Sequence, residues 1–289
     1  MCIFTAPIDH VGNTSIFARL SGTGTQFLVY QMNYQASQPL AMILPLPVAL
    51  PSHERSVRFI DLKGYPDFFS DMDSGFFLAP FLDFLASLLG RLFPKSAVAG
   101  LATASALPIE MVGDFVASFV PTLNDFDRLD PRFVLPHAVW DQIPTYHDYG
   151  FAVFQLKGEL GQNVRPHPMA FEFPTRHPNA LFFPTVHIHD GHVHSNEHFE
   201  HDLYMQGTGP QGDTSNYNAE TFMKTGATAG IARPDARCGR ITLDGDLPNR
   251  DTFVSIFGDP SKLIVPGGVA AVLTWVLARR LRASRQRSA

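Results

Sequence analysis

The residues with the clearest chemical potential are histidines, which are crowded into one short stretch of the chain. Six of the twelve histidines fall between positions 187 and 201. Within this stretch, Asp190 and Gly191 separate two runs in which apolar and polar residues alternate, and Asp-Gly is a strong signal for a two-residue hairpin turn. Opposed and alternate residues of a hairpin share a face. We therefore predict that one face carries four imidazoles, those of His187, His189, His192 and His194.

Several imidazoles converging on one point are typical of a metal site, because each ring offers one nitrogen lone pair. The prediction is a metal-binding protein that holds zinc or copper, with iron as a third option, and a metalloenzyme is one form of this prediction. The principal candidate ligands are His187, His189, His194 and His201, with His192 as a fifth. His198 and His201 have the carboxylates of Glu197, Glu200 and Asp202 nearby, and this group would either complete the ligand shell or orient the ligands. Without a metal, the same imidazoles would gather positive charge below pH of about 6.5, so a non-enzymatic, pH-responsive structural face is an alternative.

Cys2 is the candidate for covalent chemistry. Removal of the initiator methionine would leave a thiol and a free α-amine on one residue, which together form a nucleophile with its own base. The strand that follows ends in Arg19. Cys2 followed by Arg19 resembles the start of the choloylglycine-type amidohydrolases, and that resemblance implies an N-terminal-nucleophile hydrolase with Cys2 as its catalytic residue. Two other interpretations stay open, an ordinary small residue after methionine and a soft metal ligand.

Charge distribution excludes one class of partner. Residues 1–278 hold 17 basic and 27 acidic residues, a net charge of −10, while the last eleven residues add five arginines. An acidic body repels the phosphate backbone, so we predict no nucleic-acid partner. The other predicted partners are the metal ion and a small-molecule substrate that the sequence does not identify.

The C-terminal segment suggests contact with a membrane surface. Residues 264–278 are apolar and are followed at once by Arg279, Arg280, Arg282, Arg285 and Arg287. Fifteen residues are too short to span the hydrocarbon core as a helix, which needs about 20, but they can lie in the interface with arginines at anionic headgroups. Because the N-terminus lacks a signal-peptide pattern, we predict a cytoplasmic protein whose tail either contacts a membrane or docks on the domain.

Short β-branched and aromatic runs separated by glycine, asparagine and proline predict the fold class. The prediction is a β-rich α+β fold of antiparallel sheets, with one or two inserted helices and a C-terminal apolar helix. We expect one globular domain over residues 1–260, followed by the apolar helix and arginine-rich tail at residues 261–289. An apolar helix is predicted within residues 71–92, where hydrophobic residues recur at helical spacing.

Four short motifs resemble an uncharacterised family of bacterial proteins. They are CIFTAPID near the start, AMILPLPV, MVGDFVASFV and DYGFAVFQLK, and together they cover roughly residues 2–160. Members of that family open with a cysteine-containing strand and often end in a membrane segment. The resemblance implies no activity, because none is assigned to that family.

Overall fold

The computed structural model describes residues 3–76, 109–156, 161–209 and 212–257. Its strands are β1 Ile3–Phe4, β2 His10–Leu20, β3 Thr25–Gln35, β4 Leu40–Leu46, β5 Arg58–Asp61, β6 Glu110–Val112, β7 Phe115–Val120, β8 Gly150–Leu156, β9 Met169–Pro174, β10 Ala180–Phe183, β11 Asn196–Gln206, β12 Asp213–Thr214, β13 Gly239–Pro248 and β14 Thr252–Ser255. The helices are α1 Phe68–Ser74 and α2 His137–Trp140, and the 3₁₀ turns are Leu123–Arg128, Pro131–Phe133, Pro144–Tyr146, Ala219–Thr221 and Thr225–Ala227.

Two main sheets organise these strands. One has five strands in the order β1-β4-β8-β7-β6, and the other has seven in the order β12-β13-β11-β2-β3-β9-β5. Strands β10 and β14 form a separate antiparallel pair. All pairings between the named strands are antiparallel except one, because β11 runs parallel to β2 from His201 to Gln206. The seven-stranded sheet therefore joins the N-terminal hairpin to the last third of the chain.

The centre of the seven-stranded sheet is buried on both faces. Ile16 and Leu28 belong to the core that packs against the five-stranded sheet. Phe17 and Val29, one residue along each strand, belong to a second core beneath α1. A strand covered on both faces needs apolar residues at successive positions, which explains the uninterrupted run FLVY in β3. Where α1 and the segment after β12 do not cover it, the outer face of this sheet is polar.

Two buried polar side chains tie this sheet to its neighbours through backbone groups. Gln26 accepts a hydrogen bond from the Phe182 amide at 2.9 Å and donates one to the Phe182 carbonyl at 2.8 Å, so it attaches β3 to β10. Arg19 donates to the carbonyls of Gly230 and Ile231, both at 2.6 Å, and its guanidinium lies over the ring of Phe27. Arg19 therefore holds the loop that closes the second core.

The fold class predicted from the sequence is confirmed at the coarse level, because the described residues form a β-rich structure with few helices. Four of the short apolar runs in the first fifty residues correspond to strands β1 to β4, as predicted: CIFTAPI, TSIFARL, TQFLVYQMNY and LAMILPLPV. The predicted helix within residues 71–92 is not tested, because residues 77–108 lie outside the described residues and α1 ends before them, at Ser74. The C-terminal helix and tail at 261–289 also lie outside them. Among the described helices, none is both long and apolar enough to cross a membrane.

Replacing Gln26 by leucine tests the link between β3 and β10. The Gln26→Leu variant leaves the buried amide and carbonyl of Phe182 without partners, so we expect a loss of about 2–4 kcal/mol in the free energy of unfolding. Urea denaturation measures this loss. Gln35→Leu is the matched control, because the Gln35 side chain makes an exposed hydrogen bond to Gly161. Equal effects of the two substitutions would contradict the proposed link.

Candidate functional site

The predicted histidine hairpin does not form. Gly191 has a positive φ of 81°, and the amide of His192 donates to Asp190 Oδ1, so the chain does turn at this point. The backbone N–H and C=O groups before the turn, however, already have other hydrogen-bond partners. The Asn249 side chain accepts from the His187 amide and donates to the His187 carbonyl, and the Ile188 carbonyl accepts from the amide of Phe4. No ladder links the two predicted arms, because other segments satisfy these groups.

The structure separates the six histidines into two groups. His187 and His201 are buried, and His189 packs beside them, with ring centroids 5.1 Å apart for His187–His189 and 5.0 Å apart for His187–His201. The other three are exposed, namely His192, His194 and His198. Of the exposed rings, His194 bonds to Asp190 at 3.1 Å and His198 bonds to Asp246 at 3.0 Å. A hairpin turn at Asp190-Gly191 would place His187 opposite His194, and this predicted pair is wrong, because His187 is buried and His194 is exposed.

The predicted metal site is wrong for a geometric reason. The rings of His187 and His189 are stacked at 21° to each other, and the lone pairs of stacked imidazoles lie in parallel planes instead of meeting at one point. Among the described residues, no group of three or more His, Cys, Asp or Glu side chains is arranged to hold a metal ion. Burial lowers the pKa of His187 and His201 and lowers that of His189 to about 4, so these rings are neutral core groups.

Cys2 lies outside the described residues, so its predicted catalytic role is not tested by the structure. Arg19, which carried the resemblance together with Cys2, is engaged by the carbonyls of Gly230 and Ile231. The other cysteine, Cys238, is buried in the second core, and burial raises the pKa of its thiol to about 12. Cys238 is therefore a core residue without thiolate character at neutral pH.

The polar side chains that the fold does bring together lie on the outer face of β11 and β13. Strand alternation places His201 inside and its neighbours Glu200 and Asp202 outside. Register sets Glu200 directly opposite Asp244, and Asp202 opposite Thr242. The hydroxyl of Thr242 donates to Asp202 at 2.6 Å. The outer face thus carries a row of carboxylates, which we call the acidic strip: Glu200, Asp202, Asp244 and Asp246.

Glycine at position 12 makes room for this strip. A Cβ atom built at Gly12 would lie 3.2 Å from Glu200 Oε2 and 3.2 Å from His10 Nε2, tighter than most contacts of this kind. Register between β2 and β3 also shifts between Gly12 and Ser15, with Asn13 at a positive φ of 48°. This irregularity opens the sheet surface beside Glu200.

A cavity of about 420 Å³ lies on the acidic strip. Its lining is almost entirely polar: Asn13, Thr14, Ser15, Arg165, Glu200, His201, Asp202, Thr242, Leu243 and Asp244. The guanidinium of Arg165 donates to Asn33 Oδ1 and Gln31 Oε1, both at 3.2 Å. With three carboxylates against one guanidinium, the cavity carries net negative charge and suits a cationic group.

The outer edge of β13 is open over most of its length. On one side β13 pairs with β11 from Gly239 to Pro248. On the other side β12 reaches only Gly239 and Arg240. Among the described residues, no strand pairs with positions 241–248 on that side, so an eight-residue edge borders the acidic strip.

Sequence reasoning found part of this surface. It identified Glu200 and Asp202, but as carboxylates that complete or orient a histidine metal site, and it missed Arg165 and Asp244. The alternation of Thr242, Asp244 and Asp246 with Leu243 and Leu247 indicates a strand, β13, with one exposed face. The sequence did not indicate that β13 pairs with β11, because this register depends on tertiary structure.

Comparisons with known proteins give no family for this chain. No protein-family model matches it, and no curated protein matches it. The crystal structure of baculovirus P35 is similar with a TM-score of 0.43 and 14% identity, covering 89% of this chain and 100% of that chain. The crystal structure of the caspase-8/P35 complex is similar with a TM-score of 0.42 and 12% identity, covering 85% of this chain and 96% of that chain. At these TM-scores the similarity establishes no shared function.

The positions of the histidines correct the function predicted from the sequence. Among the described residues, no group of three or more His, Cys, Asp or Glu side chains could hold a metal ion, and the rings of His187 and His189 are stacked. The metal-binding prediction is therefore wrong.

Replacing His187 by phenylalanine tests the role of the buried histidines as neutral core groups. The folded chain keeps His187 unprotonated, whereas the unfolded chain binds a proton below pH of about 6.5. This contribution to stability is therefore present above pH 6.5 and is lost as the pH falls toward the lowered folded pKa. We expect His187→Phe to flatten the loss of stability between about pH 6.5 and 4.5 by up to about 1.4 kcal/mol per pH unit.

Urea denaturation at several pH values measures this slope, with His192→Phe as the control, because His192 is exposed. An unchanged slope in His187→Phe would show that His187 already accepts protons in the folded chain.

The acidic strip leads to a further prediction about the stability of the fold. Because Glu200 and Asp244 are like charges on directly opposed residues, Asp244→Asn should raise the free energy of unfolding by about 0.2–1 kcal/mol. The gain should shrink as salt screens the repulsion. Asp246→Asn is the control, since Asp246 is paired with His198 and should give no gain. Destabilisation by Asp244→Asn at low salt would mean that the opposed carboxylates do not repel.

Proposed function

We propose that this protein acts by binding another protein, which adds an extended segment to the open edge of β13. The observation that supports this proposal is the eight-residue edge at positions 241–248, which is paired on its inner side and open on its outer side among the described residues. The outward N–H and C=O groups of an edge strand are not paired with another strand of the same sheet. An open edge strand is therefore a template for one more strand.

The dimensions of the edge suit a specific contact. Eight residues of strand extend about 27 Å, enough to pair with a segment of similar length. In an antiparallel ladder, alternate residues direct their backbone groups to one side, so about half of the edge residues present theirs outward. The inner face of β13 is already anchored, because Ile241 and Leu243 pack against the main core. A partner strand would meet a strand that is held in place.

The charge of the edge favours a different protein over a second copy of this chain. Asp244 and Asp246 are exposed on β13 beside Glu200. Two copies joined edge to edge would bring these carboxylates together, and charged edge residues are a known device against self-association. A partner that lacks this acidic charge does not meet the same repulsion.

Caspase-8 is the partner of P35 in the complex named above. The present proposal takes nothing from that partner, because the similarity is too low to transfer it. Its support is the edge of β13 alone.

Amide hydrogen exchange tests strand addition directly. The probe is an acetylated eight-residue peptide in which lysine and threonine alternate, added in excess to the full-length protein. We expect slower exchange within residues 241–248, because new hydrogen bonds form along the edge. Mass spectrometry of peptic fragments locates the protection.

The control peptide has the same side chains but N-methyl groups on alternate residues, which remove the donors along one of its edges. Protection by the first peptide and none by the second supports strand addition. Equal protection by both peptides would mean a contact through side chains only, and no protection at millimolar peptide would also overturn the proposal.

A further inference from the structure

We infer that the segment bound at β13 places an arginine side chain in the cavity between Glu200 and Asp244. This inference rests on the proposed function and identifies the chemistry of the partner. The cavity adjoins the open edge, since Thr242, Leu243 and Asp244 of β13 belong to its lining. A strand paired along 241–248 would therefore run beside the mouth of the cavity.

Glu200 and Asp244 are members of the acidic strip that form no ion pair among the described residues, although their charges also act on the nearby His198. Asp246 is paired with His198 at 3.0 Å, and Asp202 accepts from Thr242 at 2.6 Å. In the part of the chain that the structure describes, neither Glu200 nor Asp244 forms an ion pair with a lysine, arginine or histidine. Opposed Cβ atoms in a sheet are about 4.5–5.5 Å apart, so one cation can contact both carboxylates.

Arg165 does not supply that cation. Its terminal nitrogens are directed to Asn33 and Gln31, which hold the guanidinium at the far wall of the cavity. Three carboxylates and one guanidinium leave a net charge of −2, and one further cation would reduce it to −1. The charge of the cavity therefore favours the entry of an additional positive group.

The shape of the site favours a guanidinium over an ammonium ion. A guanidinium has five N–H donors in a planar fork, so it can bond to two carboxylates and still reach a neutral acceptor. Asn13, Thr14 and Ser15 also line the cavity, and the buried Thr14 Oγ1 is a neutral acceptor that has no hydrogen-bond partner among the described residues. A volume of about 420 Å³ also leaves room for the long side chain of arginine.

Citrulline provides the test, because it matches arginine in shape but carries no charge. The probes are two acetylated eight-residue peptides of threonine and valine that differ only in one central arginine or citrulline, and fluorescence anisotropy measures their dissociation constants with the full-length protein. We expect the arginine peptide to bind at least about tenfold more tightly than the citrulline peptide. In the Glu200→Gln/Asp244→Asn double variant the ratio should fall to about one.

Glu220→Gln is the matched control, because Glu220 is an exposed carboxylate near the second core, away from the acidic strip. This variant should keep the wild-type ratio. The double variant is expected to be at least as stable as the wild type, so a lost preference for arginine would not reflect unfolding; urea denaturation verifies this.

The outcomes separate the inference from the proposed function. Equal binding of both peptides to the wild type, with protection of residues 241–248, overturns the arginine inference and keeps strand addition. Failure of both peptides to bind overturns both.

The occupant could instead be the chain itself, through Arg279, Arg280, Arg282, Arg285 and Arg287. Replacing all five by glutamine in the full-length protein tests this. A tenfold gain in affinity for the arginine peptide would show that these arginines occupy the cavity and would overturn the assignment to a partner, whereas an unchanged affinity supports the assignment.

Discussion

The parallel pairing of β11 with β2 is the interaction on which the rest of the structure depends. It links residues 201–206 to residues 14–19, so it connects the last third of the chain to the N-terminal hairpin. Strand β13 then pairs with β11, and β12 with β13. Parallel strands cannot be joined by a tight turn, and this pairing therefore closes a very long loop whose entropy cost the two cores must offset. Both cores meet at β2, where Ile16 faces one and Phe17 the other.

The same pairing decides which side chains of β11 are chemically available. Successive side chains of a strand point to opposite faces of the sheet. Because Leu203 faces the main core, His201 and Phe199 are also buried on that face, whereas Glu200 and Asp202 lie on the outer face. The histidines thus become neutral core groups, while the carboxylates gather beside the edge of β13. A stability cost accompanies this arrangement, because opposed carboxylates repel. A partner that brings positive charge would reduce this repulsion. The acidic strip and the open edge of β13 are therefore best understood as one binding surface.

Asn249 shows how a single side chain can replace a predicted secondary structure. The segment around His187 has the composition of a hairpin arm, and its backbone groups would pair with a second arm if the segment were isolated. In the folded protein, Asn249 satisfies both backbone groups of His187, and Asp251 accepts from the amides of Thr185 and Val186. These contacts cross more than sixty positions of sequence. A local sequence pattern cannot indicate hydrogen-bond partners that lie so far away along the chain.

The sequence by itself determined the β-rich class, the first four strands and the polar alternation along β13, because these depend on local spacing of apolar residues. It also determined that the body of the chain is acidic. Only the tertiary structure decided where that charge is concentrated, since Glu200 and Asp244 are 44 positions apart and meet through strand register. It also decided that the six histidines divide between a core and a surface. Residue types determine which chemistry a side chain can perform. Whether several side chains converge on one point depends on long-range strand pairing, and the spacing of the histidines in the sequence does not indicate that pairing.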